Sequence, residues 1–204
     1  MTMSRTGDGS DTLLEQARSG AVETRGLLLD RYRNYLMLLA RAMMGRGLRS
    51  SLEASDLVQQ TFLEAYRDLP MFRGSGEREL VGWLRRILIH NVCQQAEYLG
   101  RQKRGGKRQV SLDELLERSD LLMARAHGCV VASPSECADR SERTLLLADA
   151  LARLPESQRT ALELHHLQGL TVPEVGREMG RSVLAVTGLI YRGMKALRAL
   201  LTPA

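Results

Sequence analysis

Residues 169–199, GLTVPEVGREMGRSVLAVTGLIYRGMKALRA, leave a chain few ways to fold, because caps, a turn glycine and an apolar stripe agree on two closely joined helices. Thr171 is placed to cap the first helix, and Glu174 three residues on can return the bond, a capping box. Pro173 is tolerated there because a first-turn N–H has no intrahelical partner. Val175 and Met179 lie on one face, with Gly176 where a bulkier side chain would push the next helix away. Gly180 supplies the helix-ending conformation and Ser182 a cap for the second helix. In that second helix Val186, Ile190, Gly193 and Leu197 recur at helical spacing and predict a buried stripe. The opposite face starts with Ser182, Ala185, Thr187 and Gly188 and continues to Arg192, Lys195 and Arg198. Small and polar residues in front with cations behind suit a helix whose N-terminus enters a DNA major groove while its later turns meet phosphates. A plain helical hairpin in a bundle core is the alternative; the agreement of cap, glycine and stripe favours a DNA-binding helix-turn-helix.

The other 173 residues of this 204-residue chain allow one large domain or two small ones. Aromatics are only 4% against 44% apolar residues, and Leu and Ala dominate, which favours helix over strand. No apolar run reaches the length of a membrane span, and the first ten residues lack the apolar core of a signal peptide, so a cytoplasmic protein is expected. Cys93, Cys129 and Cys137 are odd in number and irregular in spacing, which predicts free thiols rather than a disulfide framework or a zinc site. Charge is unevenly spread: residues 1–110 carry 18 Lys/Arg against 12 Asp/Glu, residues 111–140 carry 3 against 6, and residues 141–204 carry 8 against 6. Two basic lobes joined by an acidic connector are consistent with a polyanion that touches both.

In chain order, residues 1–10 are polar and expected to be a disordered tail, and residues 11–19 a short helix with Leu13, Leu14 and Ala17 on one side. A longer helix over 21–44 is predicted from Leu29, Tyr32, Leu36, Leu39 and Met43. Ser55 is expected to cap a helix over 56–69 that Pro70 ends, its apolar side Leu57 or Val58, Phe62, Ala65 and Leu69, its polar side Asp56, Gln59, Gln60 and Glu64. The glycine loop MFRGSGER at 71–78 holds an aromatic and an arginine. The helix predicted over 79–99 places Leu80, Leu84, Ile87, Leu88 and Asn91 on one side, with Arg78, Arg85 and Arg86 reaching outward. Trp83 is the only tryptophan, and RQKRGGKR at 101–108 packs five cations into eight positions, a candidate phosphate-contacting tail. Residues 109–140 form the connector, with a short amphipathic helix in SLDELLERSDLLMARA; helices over 141–154 and 156–168 then lead into the helix-turn-helix. His165 and His166, adjacent on a helix, are expected to point in different directions. No phosphate-loop, HExxH, GxSxG or dinucleotide pattern is present, so no enzyme, metal or cofactor is expected.

The order of these pieces resembles the extracytoplasmic-function (ECF) sigma factors, the minimal two-domain branch of the bacterial sigma-70 family. The likeness is carried by LLLDRYRNYLMLLA, DLVQQTFLEA, FRGSGERELVGWLRRILIHNV and LARLPESQRTALELHHLQGLTVPEVGREMGRSVLAVTGLIYRGMKALR. It implies an all-α fold with two small helical domains, residues 11–108 and 141–204, joined by the linker 109–140. It further implies that Asp56, Gln59, Gln60 and Glu64 bind the core RNA polymerase. Phe72, Arg73, Trp83, Arg85, Arg86, Asn91, Arg101, Lys103 and Arg104 would recognise and open the minus-10 promoter element. Ser182, Ala185, Thr187, Gly188, Arg192 and Lys195 would read the minus-35 element. Promoter DNA and core RNA polymerase are thus the expected partners, and the resemblance also admits an anti-sigma factor. Two departures stand out: the commoner DLVQETF has an acid where this chain has Gln60, and many relatives carry Lys and Arg where it has Thr187 and Leu189. Base readout is therefore expected to rest on smaller, apolar contacts. The competing reading is a stand-alone helix-turn-helix regulator that binds duplex DNA without polymerase.

Overall fold

The computed structural model describes residues 7–19, 22–44, 46–49, 51–102, 111–127 and 134–202, by backbone alone at 7–11, 46–47, 102, 123, 125–127 and 134–141. Every regular element among them is helical. The chain divides into two compact units, residues 1–117 and 118–204. The division falls inside the expected connector.

The first unit contains α1 (Gly7–Arg18), α2 (Val22–Asp30), α3 (Arg33–Met43), α4 (Arg46–Arg49), α5 (Ala54–Asp68) and α6 (Glu77–Gln102). Helix α1 starts earlier than expected, so residues 7–10 are helical rather than tail, while residues 1–6 lie outside the described residues. The single helix expected over 21–44 is two. At Tyr32 the backbone leaves helical geometry (φ −96°, ψ 3°) and its N–H bonds to Leu29 O, a tighter turn that ends α2. The break carries Tyr32 into the core, where its hydroxyl donates to Glu77 Oε1 at 3.1 Å, and Arg31 pairs with the same carboxylate at 3.5 Å. The predicted stripe Leu29, Tyr32, Leu36, Leu39 and Met43 is buried throughout. Helices α3 and α6 both pack against α5, whose buried side is Leu57, Val58, Thr61 and Ala65. Phe62, expected on that side, is only partly buried and carries the Arg33 guanidinium 5.1 Å above its ring.

Helix α7 (Leu112–His127) spans the division; Ser111 Oγ accepts from Glu114 N–H to start it, and Leu115, Ser119 and Leu122 are its buried positions. The expected connector helix is therefore present.

The second unit holds α8 (Pro134–Ala152), α9 (Glu156–Leu162), α10 (Val172–Met179) and α11 (Val183–Leu201), with α9 and α8 packed against α11. The helix expected over 156–168 changes character at Glu163, where five residues form a wider π turn closed by Gln168 N–H to Glu163 O at 3.0 Å. This turn lets His165 Nδ1 meet Leu170 O at 2.7 Å, and it sets the two histidine rings edge to face at 4.7 Å. The expectation that they diverge is thus corrected: it assumed ordinary α geometry.

Candidate nucleic-acid interface

The helix-turn-helix forms as its sequence requires. Glu174 Oε2 accepts from the Thr171 N–H at 2.8 Å and from its hydroxyl at 2.6 Å. Those bonds, side chain first, hold the Glu174 carboxyl below the usual range. Gly180 takes the left-handed conformation (φ 62°, ψ 35°) that ends α10, and Ser182 Oγ accepts from Ala185 N–H to start α11. A Cβ on Gly176 would stand 2.8 Å from Arg181 O, so the glycine admits the turn itself rather than the body of the next helix. A Cβ on Gly193 would meet Leu162 Cδ1 at 3.0 Å, which brings α9 and α11 close. Ala161, Leu164, Val175, Val186 and Leu189 form the core beneath. Ile190, placed in the predicted stripe, is only partly buried, and Leu189 takes the deeper position.

Held this way, α11 turns Ala185, Thr187, Arg192 and Lys195 outward, with Ser182 exposed at its start and Gly188 half-buried beneath Arg192. Leu189 is 6% exposed and faces away from this surface. Two residues that sequence reasoning passed over dominate the face: Leu184 at 84% exposure and Tyr191 at 71%. A helical projection would have found them, because both lie opposite Val186, Leu189 and Gly193.

The glycine loop and α6 form a second site. The Phe72 ring lies 5.1 Å from that of Trp83 and over Gly74, where a Cβ would run into its Cζ. Glu79 Oε2 accepts from the Ser75 N–H and hydroxyl, and Arg18 donates to Gly74 O at 3.2 Å, so the loop is tied at both sides. Phe72 is 9% exposed; it props the partly exposed Trp83 and is no surface platform. Asn91 needs a larger correction. At 3% exposure it donates from Nδ2 to Thr61 Oγ1 at 3.2 Å, and Thr61 donates in turn to Leu57 O at 2.7 Å. A buried amide needs such partners, and this one ties α6 to α5. Arg73 and Arg86 are exposed, Arg85 is half-buried on another face of the helix, and Arg101 is exposed beside Glu97 at 3.3 Å. Lys103 and Arg104 lie outside the described residues. Beyond Arg86 the outward face of α6 runs through His90, Gln94 and Tyr98, none of which had been singled out.

On α5 the polar face stands as expected, with Asp56, Gln59 and Gln60 exposed and Glu64 partly so. The cap is different. Glu53, not Ser55, is the N-cap residue, and Asp56 Oδ2 accepts from the Glu53 N–H at 3.3 Å, which gives Asp56 a structural duty on that face. Gln60 Nε2 donates to Glu64 Oε1 at 2.7 Å. Leu63, 62% exposed, sits among these polar residues and had been missed.

Comparison with protein families identifies the chain that carries these three faces. The model of the ECF sigma factor family matches residues 10–202. The chain belongs to that family. This sigma factor directs promoter recognition and transcription initiation and is not an enzyme. It is 28% identical over 191 residues to the ECF RNA polymerase sigma-E factor of Haemophilus influenzae, covering 94% of each chain. It is 27% identical over 191 residues to the RNA polymerase sigma-H factor of Pseudomonas aeruginosa, covering 94% of this chain and 93% of that one. Among solved structures, CnrH in complex with the cytosolic domain of CnrY matches with a TM-score of 0.35 and 23% identity, over 94% of this chain and 96% of that one. The RsbN–BldN complex matches with a TM-score of 0.33 and 25% identity, over 92% and 99%. No helix among the described residues is long and apolar enough to cross a membrane, and no group of side chains there could hold a metal ion. Cys93 is a buried free thiol whose pKa is raised by burial and then by Glu97.

Proposed function

We propose that the sigma factor divides its work among the three exposed faces, with residues 11–108 serving polymerase binding and the minus-10 element and residues 141–204 the minus-35 element. The α5 face docks on core RNA polymerase through Gln59, Gln60 and Glu64, with Leu63 as an apolar centre and Asp56 contributing from the capped first turn. At the minus-10 element Trp83, propped by Phe72, offers an aromatic face to an unstacked base, while Arg73 and Arg86 hold the strand. Arg101, Lys103 and Arg104 add backbone contacts. Helix α11 enters the major groove of the minus-35 element, with Ser182, Ala185, Thr187 and Gly188 toward the bases and Arg192 and Lys195 on phosphates. The cytoplasm, where polymerase and promoters meet, is then its place of action.

The observation that carries this reading is the outward face of α11, which has cations at Arg192, Lys195 and Arg198 and no acidic residue over its whole length. A helix so charged and so capped is built for a polyanion. The test is co-purification with core RNA polymerase followed by run-off transcription on a promoter library. Gln59→Arg with Gln60→Arg is the better docking variant, because Asp56 also caps α5 and its loss would confuse folding with binding. Stable polymerase binding and new start sites are expected from the native chain, and neither from the double variant. Tight duplex binding without polymerase would return the stand-alone regulator.

A further inference from the structure

The first two turns of α11 read VLAVTGLI, and they contain no Arg, Lys, Asn, Gln, Asp or Glu. Those side chains are the ones that make paired hydrogen bonds to base edges in the major groove. Two hydroxyls are within reach, and each makes one bond to the backbone, neither able to form the paired bonds that read a base edge. Thr187 donates its hydroxyl hydrogen to Val183 O at 2.9 Å, and Ser182 Oγ accepts from Ala185 N–H at 3.3 Å. The rest of the exposed front of these two turns is apolar: Leu184 at 84%, Val183 at 51%, and the methyl of Ala185. These groups cannot distinguish a donor from an acceptor. Among the base-edge groups of the major groove, the one apolar feature is the C5-methyl of thymine.

Resting on the minus-35 assignment of α11, we infer that this sigma factor recognises its upstream promoter element by thymine methyl groups packed against Leu184, with Val183 and Ala185 beside it. The occupant is duplex DNA because the apolar front is framed by Arg181 before the helix and by Arg192, Lys195 and Arg198 behind it, with no carboxylate on α11. Phosphate contacts from those cations fix the register, and the apolar front then reads the bases. Leu184 is the specificity-determining residue because it is the most exposed apolar side chain of the front, at 84%. Its exposure also means that folding gains almost nothing from it, so shortening it leaves the fold intact.

The experiment replaces thymine by deoxyuridine, which deletes the methyl and keeps the pairing edge. The upstream element is first obtained by selecting promoters with core polymerase and the full chain. Each thymine in it is then exchanged singly, and affinity is measured for the polymerase complex carrying the native chain, Leu184→Ala or Arg192→Ala. Burial of one methyl group predicts about a fourfold loss at each contacted thymine for the native chain. That loss should vanish in the Leu184→Ala complex, whose affinity no longer depends on the methyl. Native affinity that ignores the exchange overturns the inference, as does an upstream element without thymine. Equal losses in the native and Leu184→Ala complexes overturn it too, since the methyl would then act through DNA stiffness. If neither Arg192→Ala nor Leu184→Ala alters upstream binding, the assignment of α11 itself has failed, a separate result.

Discussion

Replacing Gly176 by alanine tests the geometry on which DNA reading by α11 depends. The added Cβ would lie 2.8 Å from Arg181 O, and ordinary contact begins at 3.4 Å, so one side must retreat by more than half an ångström. The obstacle is backbone, and it is pinned: the Arg181 N–H bonds to Gly176 O at 2.9 Å, and the next residue, Ser182, caps α11. Overpacking of this kind costs about 1–3 kcal/mol, against a gain of up to about 1 kcal/mol for alanine over glycine in a helix. A net loss of about 1–2 kcal/mol is expected. Gly188 supplies the control within the same unit, because there a Cβ meets only the movable Arg192 guanidinium at 3.2 Å. Gly188→Ala should stabilise α11 by about 0.5–1 kcal/mol. Amide hydrogen exchange along α10 and α11 resolves the two variants without requiring the whole chain to unfold as one. Exchange should accelerate about 5- to 30-fold in Gly176→Ala and slow in Gly188→Ala. Equal or better protection in Gly176→Ala would show that the turn has room to spare, and the account of how α11 is aimed would be wrong.

Asn91→Ala should destabilise the first unit by about 1–3 kcal/mol, since Thr61 Oγ1 loses its buried donor, while promoter opening by the folded fraction stays unchanged; a specific opening defect without a stability loss would restore the DNA-contact reading. Phe72→Leu should impair opening in transcription assays although Phe72 itself is buried, because Trp83 loses its support, and intact opening would dissociate the two rings. His166, exposed but partly desolvated by its neighbours, has a pKa below the ordinary 6.5, first through that desolvation and then through His165. The unfolded chain therefore binds the proton first, and stability of the second unit should fall as pH drops through about 6.5. Denaturation midpoints against pH would show this slope, and His166→Gln should flatten it.

Much of the site was legible because its elements are fixed locally. The Thr171–Glu174 box, the Gly180 turn and the Ser182 cap each follow from residues within four positions, and all three are present. The α5 cap illustrates the limit of that reasoning. Ser55 was a good capping residue, yet Glu53 with Asp56 forms a reciprocal box that starts the helix two positions earlier. The π turn at Glu163 and the break at Tyr32 were not legible, because neither follows from helical periodicity; the turn brings His165 to Leu170 O just beyond the helix, and the break brings Tyr32 to Glu77, 45 residues away.

Rotation of a helix about its axis is the harder quantity, and it decides function here. The apolar residues of α11 outnumber the places its core can take, so periodicity alone admits Leu189 or Ile190 as the inner residue and cannot say which apolar groups are left outside. The choice is made by two glycines. Gly193 lets α11 approach Leu162 closely enough to select Val186, Leu189 and Gly193 as the inner line, and Gly176 lets the turn enter at the matching angle. Leu184 and Tyr191 are exposed as a consequence. A larger side chain at Gly193 should therefore rotate or lift α11 and reduce upstream DNA binding without touching any residue on the DNA face. Gly193→Val, measured for duplex affinity beside Arg192→Ala, separates the two effects: the former should weaken thymine-dependent discrimination, the latter should weaken binding to all sequences and lower its salt dependence. Retained discrimination in Gly193→Val would mean that the core does not aim this helix.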